Sequence, residues 1–166
     1  MQQKSTDTDR KWMQLALRQA ETAAENNDVP IGCVIVKDDH ILAKACNQRD
    51  QLQDPTAHAE IIALTQAAAA VKSWRLEGCT VYVTLEPCTM CAGALVLARI
   101  PRLVYAAANP KAGAVGSLYN IPQDQRLNHI MEVNSGILAD QSSRLLSEFF
   151  EQRRLEKKQK DEKNIW

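Results

Sequence analysis

No run of apolar residues in this 166-residue chain approaches the roughly 20 that cross a bilayer. The opening "MQQKSTDTDRK" has no apolar centre of the kind a secretory signal carries. A cytoplasmic protein with no membrane partner is therefore expected. The chain also has no net charge, because 20 lysines and arginines cancel 20 aspartates and glutamates. Affinity for a polyanion must then come from a local patch and not from a global field. Internal repeats and low-complexity linkers are missing as well, and the length suits one domain. We expect a flexible tail over residues 1–9, a folded domain over 10–156 that ends in a helix, and a charged tail over 157–166. The cysteines, Cys33, Cys46, Cys79, Cys88 and Cys91, are odd in number, which suits metal binding or burial better than a disulfide framework.

The patterns that are present predict alternating helices and strands. Trp12, Leu15, Ala16, Gln19/Ala20 and Ala23 recur at helical spacing. "VPIGCVIVKDDHILAKACN" holds two β-branched runs around Asp38 and Asp39, a hairpin with a tight turn. "AHAEIIALTQAAAAVKSW" predicts a second helix with Ile61, Ile62, Leu64 and Ala68 on its apolar side. "CTVYVTLE" follows as a strand, and Pro87 opens a short helix, apolar nearly all round, that must be buried in the core or against a second subunit. Strand "RLVYAAA", a Gly/Pro/Asn loop, a strand around "HIMEVN" and a helix from about Asp140 complete the order. Strands joined through helices call for parallel neighbours and the hairpin adds an antiparallel edge. The expected fold is α/β, a three-layer αβα sandwich around a mixed five-stranded sheet.

Chemistry concentrates in "PTAHAEIIAL" and "TLEPCTMCAGAL". Cys88 and Cys91 are three apart at a helix start, so both sulfurs share a face, and the helix N-terminus favours their thiolates. A C-x-x-C alone also suits a thioredoxin-like redox pair. His58 alone would read as a histidine satisfied near a helix start. Together, His58, Cys88 and Cys91 supply a nitrogen and two sulfurs, a donor set for Zn2+ that is one short of a closed tetrahedron. Cys33, Cys46 and Cys79 read more simply as buried apolar side chains. A fourth position left to water is the mark of a catalytic zinc, and it gives Glu60 the role of general base. Residues two apart on a regular helix diverge, so His58 is expected in the irregular turn after Pro55, where it can converge with Glu60.

"HAE" followed by "PCTMC" resembles the H-x-E and P-C-x-x-C signature of zinc nucleobase deaminases. "DVPIGCVIV", "DPTAHAEIIAL", "RIPRLVY", "PKAGAVGS" and "LLSEFFEQRR" extend the likeness, over roughly residues 10 to 155, to the bacterial tRNA-specific adenosine deaminases. The resemblance implies a homodimeric, cytidine-deaminase-like fold that converts adenosine to inosine at the wobble position of an arginine tRNA, with the tRNA anticodon stem-loop as partner. It implies that Asn47 holds the target base or its sugar. It also implies that the last helix, through Phe149, Phe150, Arg153 and Arg154, seats the anticodon loop. Helical spacing places Phe149 with Leu145 and Leu146 on a core face, which leaves Phe150 for stacking on RNA. Ala106 and Asn109 stand where the family usually has glycine and aspartate. The resemblance implies that the family aspartate contacts the backbone beside the flipped base, and an amide there removes repulsion from phosphates and offers donors. A free-base or nucleoside deaminase, such as a guanine deaminase on the same fold, and a non-catalytic zinc module are the alternatives.

Overall fold

The computed structural model describes residues 2–163, with side chains over 7–161. Helix α1 (Gln2–Glu25) is followed by the hairpin β1 (Gly32–Lys37) and β2 (His40–Cys46), the single turn α2 (Arg49–Leu52) and α3 (Ala59–Val71). Then come β3 (Cys79–Leu85), α4 (Thr89–Leu97), β4 (Arg102–Ala107), a 3-10 turn over Ile121–Gln123, β5 (Glu132–Ser135) and α5 (Ala139–Lys163). The sheet order is β2-β1-β3-β4-β5. β1 pairs antiparallel with both β2 and β3, whereas β3, β4 and β5 run parallel. This is the mixed sheet that the sequence predicts. Asp38 and Asp39 turn the hairpin with φ of 48° and 58°, the left-handed region that aspartate tolerates better than most residues.

Strand alternation divides the core in two. Val34, Val36, Tyr82 and Val104 face Trp12, Met13 and Leu17 of α1, and Leu138 joins them ahead of α5. Cys33, Ile35, Val81, Val83 and Leu103 face α3 and α4 on the other side. The α1 layer sits close to the sheet at Gly32, where a Cβ would lie 2.6 Å from the Ala20 nitrogen and nearer still to the Ala16 carbonyl oxygen. Only glycine fits there.

Four local readings of the sequence need correcting. Helix α1 begins at Gln2 and not after a nine-residue tail. Part of that segment is tied down: Arg102 donates from both terminal nitrogens to the Asp9 carboxylate at 2.8 Å, and the Tyr82 hydroxyl donates to it at 2.9 Å. On α3 the face turned to the sheet is Ala59, Ala63 and Ala67 with Glu60 and Leu64, while Ile61 and Ile62 are only half-buried. Small side chains let the helix lie close, so the alanine stripe takes the inner face and draws Glu60 in with it. Pro87 lies one residue before the cap of α4, outside the first turn, because Cys88 itself takes the capping position with extended backbone (φ −73°, ψ 177°). At the other end, α5 continues past Glu156 to Lys163 in a run of strong helix formers, and residues 164–166 of the expected charged tail lie outside the described residues.

Candidate metal centre and active site

Two helix N-termini carry the chemistry. His58 is the capping residue of α3, with extended φ −76° and ψ 150°, and Glu60 is the second residue of that helix. The change from extended to helical backbone between them turns both side chains inward, as the sequence demanded. Cys88 caps α4 and Cys91 follows in its first turn. Both helices thus aim unpaired backbone N–H groups and the positive ends of their dipoles at one place, where they stabilise negative charge.

Among the described residues, His58, Cys88 and Cys91 form the one cluster of three metal-ligating groups, with donor atoms all within 4.8 Å of one another. His58 Nδ1 lies 3.7 Å from Cys88 Sγ and 3.5 Å from Cys91 Sγ. A tetrahedral zinc with bonds of about 2.3 Å to sulfur and 2.0–2.1 Å to nitrogen would hold nitrogen and sulfur about 3.6 Å apart. The donor set and its spacing fit that ion. A hydrogen bond from the Cys91 thiol drives Cys88 down to about 3, against its burial, with His58 assisting. The Cys88 thiolate in turn raises Cys91, which burial and Glu60 push further up, and it also raises His58. A cation bound by all three groups would displace the protons that Cys91 and His58 otherwise hold. Cys33, Cys46 and Cys79 are buried elsewhere and outside the cluster.

Glu60 is 4% exposed. Burial raises its pKa, and only its own backbone N–H, His58 and the Cys91 thiol pull the other way. A carboxylate with few donors, pressed against the ligand cluster, is primed to take up a proton.

Two further buried carboxylates shape the surroundings, and sequence reasoning missed both. Glu86, 1% exposed, accepts from the backbone N–H groups of Asn109 (2.8 Å), Val115 (3.0 Å) and Ser117 (2.9 Å) and from the Ser117 hydroxyl. Burial pushes Glu86 up, but these donors outweigh it and hold the carboxyl below its ordinary value. Ala114 N also donates to Pro87 O at 2.8 Å, so the loop after β4 is fastened to the turn that carries Cys88. Asp28, fully buried, accepts from Asn47 Nδ2 and from the backbone of α2. The available signals were an acidic residue directly before "PC" and another inside the apolar stretch "NDVPIG". Neither spacing marks a carboxylate as buried, because its donors come from distant loops.

The expected substrate contacts fall in three places. Asn47, 3% exposed, follows directly after β2, and Gln48 N next to it donates to Ala57 O at 3.0 Å, which ties that segment to the residue before His58. Asn109 is half-buried, and its side-chain oxygen accepts from Lys111 N (3.3 Å) and Ala112 N (3.2 Å), closing a local turn. On α5, Phe149 is half-buried and Phe150 is 45% exposed, with the two rings edge to face at 5.5 Å. Arg153 stacks 5.8 Å from the Phe149 ring and reaches Asp50 of α2 at 3.4 Å. Phe150, Arg153, Arg154, Lys157 and Lys160 line one shallow cleft together with the acidic Glu156.

A parallel-strand end that presents His, Cys and Cys from two helix N-termini around a buried glutamate has the layout of a nucleobase deaminase. Comparison with known proteins agrees. The pattern of the MafB19-like deaminase family matches residues 7–154. A tRNA-specific adenosine deaminase from Bacillus subtilis is 46% identical over 150 residues, which are 90% of this chain and 93% of that protein. One from Haemophilus influenzae is 47% identical over 154 residues, 92% of this chain and 89% of that one. A solved structure of a tRNA:A34 deaminase, studied for A-to-I editing at the wobble position of transfer RNA, superposes with a TM-score of 0.79 at 44% identity, covering 82% of this chain and 99% of that one. A guanine deaminase from Bacillus subtilis, at 36% identity and a TM-score of 0.58, covers 59% of this chain and 63% of its own. The chain is an enzyme of the MafB19-like deaminase family, and within it belongs with the bacterial tRNA-specific adenosine deaminases.

Proposed function

We propose that this enzyme hydrolyses adenosine to inosine at the wobble position of an arginine tRNA, in the cytoplasm and with Zn2+ as its metal. The carrying observation is Glu60, buried against the His58–Cys88–Cys91 cluster, in a chain 46–47% identical to tRNA-specific adenosine deaminases over nine-tenths of its length. Held by His58 Nδ1 and the two sulfurs, Zn2+ would supply the Lewis acidity that makes a water molecule ionisable near neutral pH.

The remaining work belongs to the chain. Glu60 takes a proton from the attacking water and passes it to the ring nitrogen beside the amino-bearing carbon. The water oxygen bonds to that carbon. Glu60 then carries the second proton to the amino group, and the carbon–nitrogen bond breaks to release ammonia and leave inosine. Asn47 holds the extruded nucleotide, and Asn109 presents its loop to the adjoining backbone. Phe150 supplies an exposed ring for stacking, with Arg153 and Arg154 for phosphates.

A homodimer completes the reading. Trp74, Leu97, Leu118, Tyr119, Leu127 and Ile130 are each at least 40% exposed, and Leu97 of α4 reaches 71%. A second copy against α4 would cover such surface. Among the described residues no helix is long and apolar enough to cross a membrane.

The test is incubation of the purified protein with an anticodon stem-loop carrying adenosine at the wobble position, followed by an assay for inosine, with free adenosine, cytidine and guanine in parallel. Inosine in the stem-loop alone is expected. Turnover of guanine in its place would move the enzyme to the guanine deaminases. Light scattering should give twice the chain mass for the wild type and a smaller mass for Leu97→Glu.

A further inference from the structure

Asp28 is fully buried between the end of α1 and the start of β1, and its carboxylate collects four donors. Oδ1 accepts from Val29 N at 3.0 Å and from Asn47 Nδ2 at 2.5 Å. Oδ2 accepts from Asp50 N at 2.8 Å and Gln51 N at 3.1 Å. An ionised carboxylate only accepts, so it settles which end of the Asn47 amide faces it: the nitrogen does. Asn47 Oδ1 and the second Nδ2 hydrogen are left over. Among the described residues no protein donor engages that Oδ1, and since no buried side-chain oxygen there lacks a partner, it opens to solvent from an otherwise buried side chain. The same carboxylate pins the first turn of α2, and the backbone between Asn47 and α2 is joined to Ala57, the neighbour of His58, through Gln48 N. One buried charge thus fixes both the direction of an amide and the ledge that leads to the ligand cluster.

We propose that Asp28 is a positioning residue for the substrate pocket, setting the orientation in which Asn47 offers its oxygen and remaining N–H to the target nucleotide. This rests on the role given to Asn47 above. Without the carboxylate the amide can flip and α2 loses its anchor, so the loss should appear in substrate binding and pass through Asn47. A residue that merely supports the fold would not act in that way.

A double-mutant cycle separates the two. Asp28→Asn, Asn47→Ala and the double variant are assayed on the wobble-adenosine stem-loop, with zinc content and melting temperature measured on each. Asp28→Asn should raise KM about 10- to 100-fold, the loss expected for a hydrogen bond to a charged group, with kcat changed far less and zinc content equal to wild type. In the Asn47→Ala background the same substitution should change KM less than about 3-fold. Asp28→Glu, which keeps charge and acceptors, should recover most of the affinity. It replaces Asp28→Asn in the cycle if that variant fails to fold, with a smaller KM increase expected that again vanishes in Asn47→Ala. Losses that multiply in the double variant, or a lowered melting temperature with KM unchanged, would overturn the proposal. If the wild type ignores the stem-loop but deaminates a free base or nucleoside, the tRNA reading fails by itself. The same cycle on that substrate then still decides the role of Asp28.

Discussion

Glu60 and Glu86 are the same residue type, and both are almost wholly buried, at 4% and 1% exposed, yet their surroundings treat them in opposite ways. At the start of α3, Glu60 has little beyond its own backbone N–H, and burial raises its pKa. At the end of β3, Glu86 is met by three backbone N–H groups and a hydroxyl and stays low. Burial alone therefore does not decide what a carboxylate does. A donor-poor carboxylate is free to exchange protons, whereas one with every lone pair engaged is a structural anchor.

Exchanging the two carboxylates for amides tests this contrast most strongly. Glu60→Gln should lower turnover about 10²- to 10⁴-fold, the usual contribution of a general base, while zinc content and melting temperature stay near wild type. Retained turnover would remove the distinction. Glu86→Gln should do the reverse, because its amide places N–H donors against N–H donors. We expect a loss of about 3 kcal/mol, or roughly 6–12 °C in melting temperature for a chain of this size, with residual activity tracking the folded fraction. Gly113→Ala sharpens the same point, since its Cβ would meet the Glu86 carboxylate and lie 2.6 Å from the Asn109 carbonyl oxygen. Overpacking there should cost about 1–3 kcal/mol, read by chemical denaturation.

The smallest effects are expected at two buried residues outside the ligand cluster. Cys33, held protonated by burial, should be dispensable for the metal: Cys33→Ser should keep full zinc content, and loss of zinc would return it to the list of ligands. Burial and then the Asp9 carboxylate raise the Tyr82 hydroxyl above its ordinary value of 10.0. Because the neutral form is favoured in the folded state, that contribution is complete below about pH 10 and fades as pH rises further. Tyr82→Phe should cost about 1 kcal/mol near neutral pH and flatten the alkaline loss of stability, measured by denaturation against pH.

The alternation of helix and strand patterns was legible because each element is amphipathic or uniformly apolar over its own length, as in the hairpin turn at Asp38 and Asp39. The clustering of His58, Cys88 and Cys91 was legible for a related reason. Cys88 and Cys91 share a helical turn, and a His-x-Glu converges only if His58 stands outside the helix, so local geometry carries the meaning. The inner face of α3 was misjudged because size was weighed above fit. Isoleucine predicts burial by hydrophobicity, but the close approach of helix to sheet selected Ala59, Ala63 and Ala67.

The sequence alone determined the sheet, the His58–Cys88–Cys91 cluster and the glutamate beside it, because each depends on spacings of a few residues. Tertiary structure decided which acidic groups go inside, and with what consequence. Glu86 draws its donors from residues 23 to 31 positions away, and Asp28 from residues up to 23 positions away. Such partners meet only when the loops close over the sheet, and a buried charge takes its role from those partners.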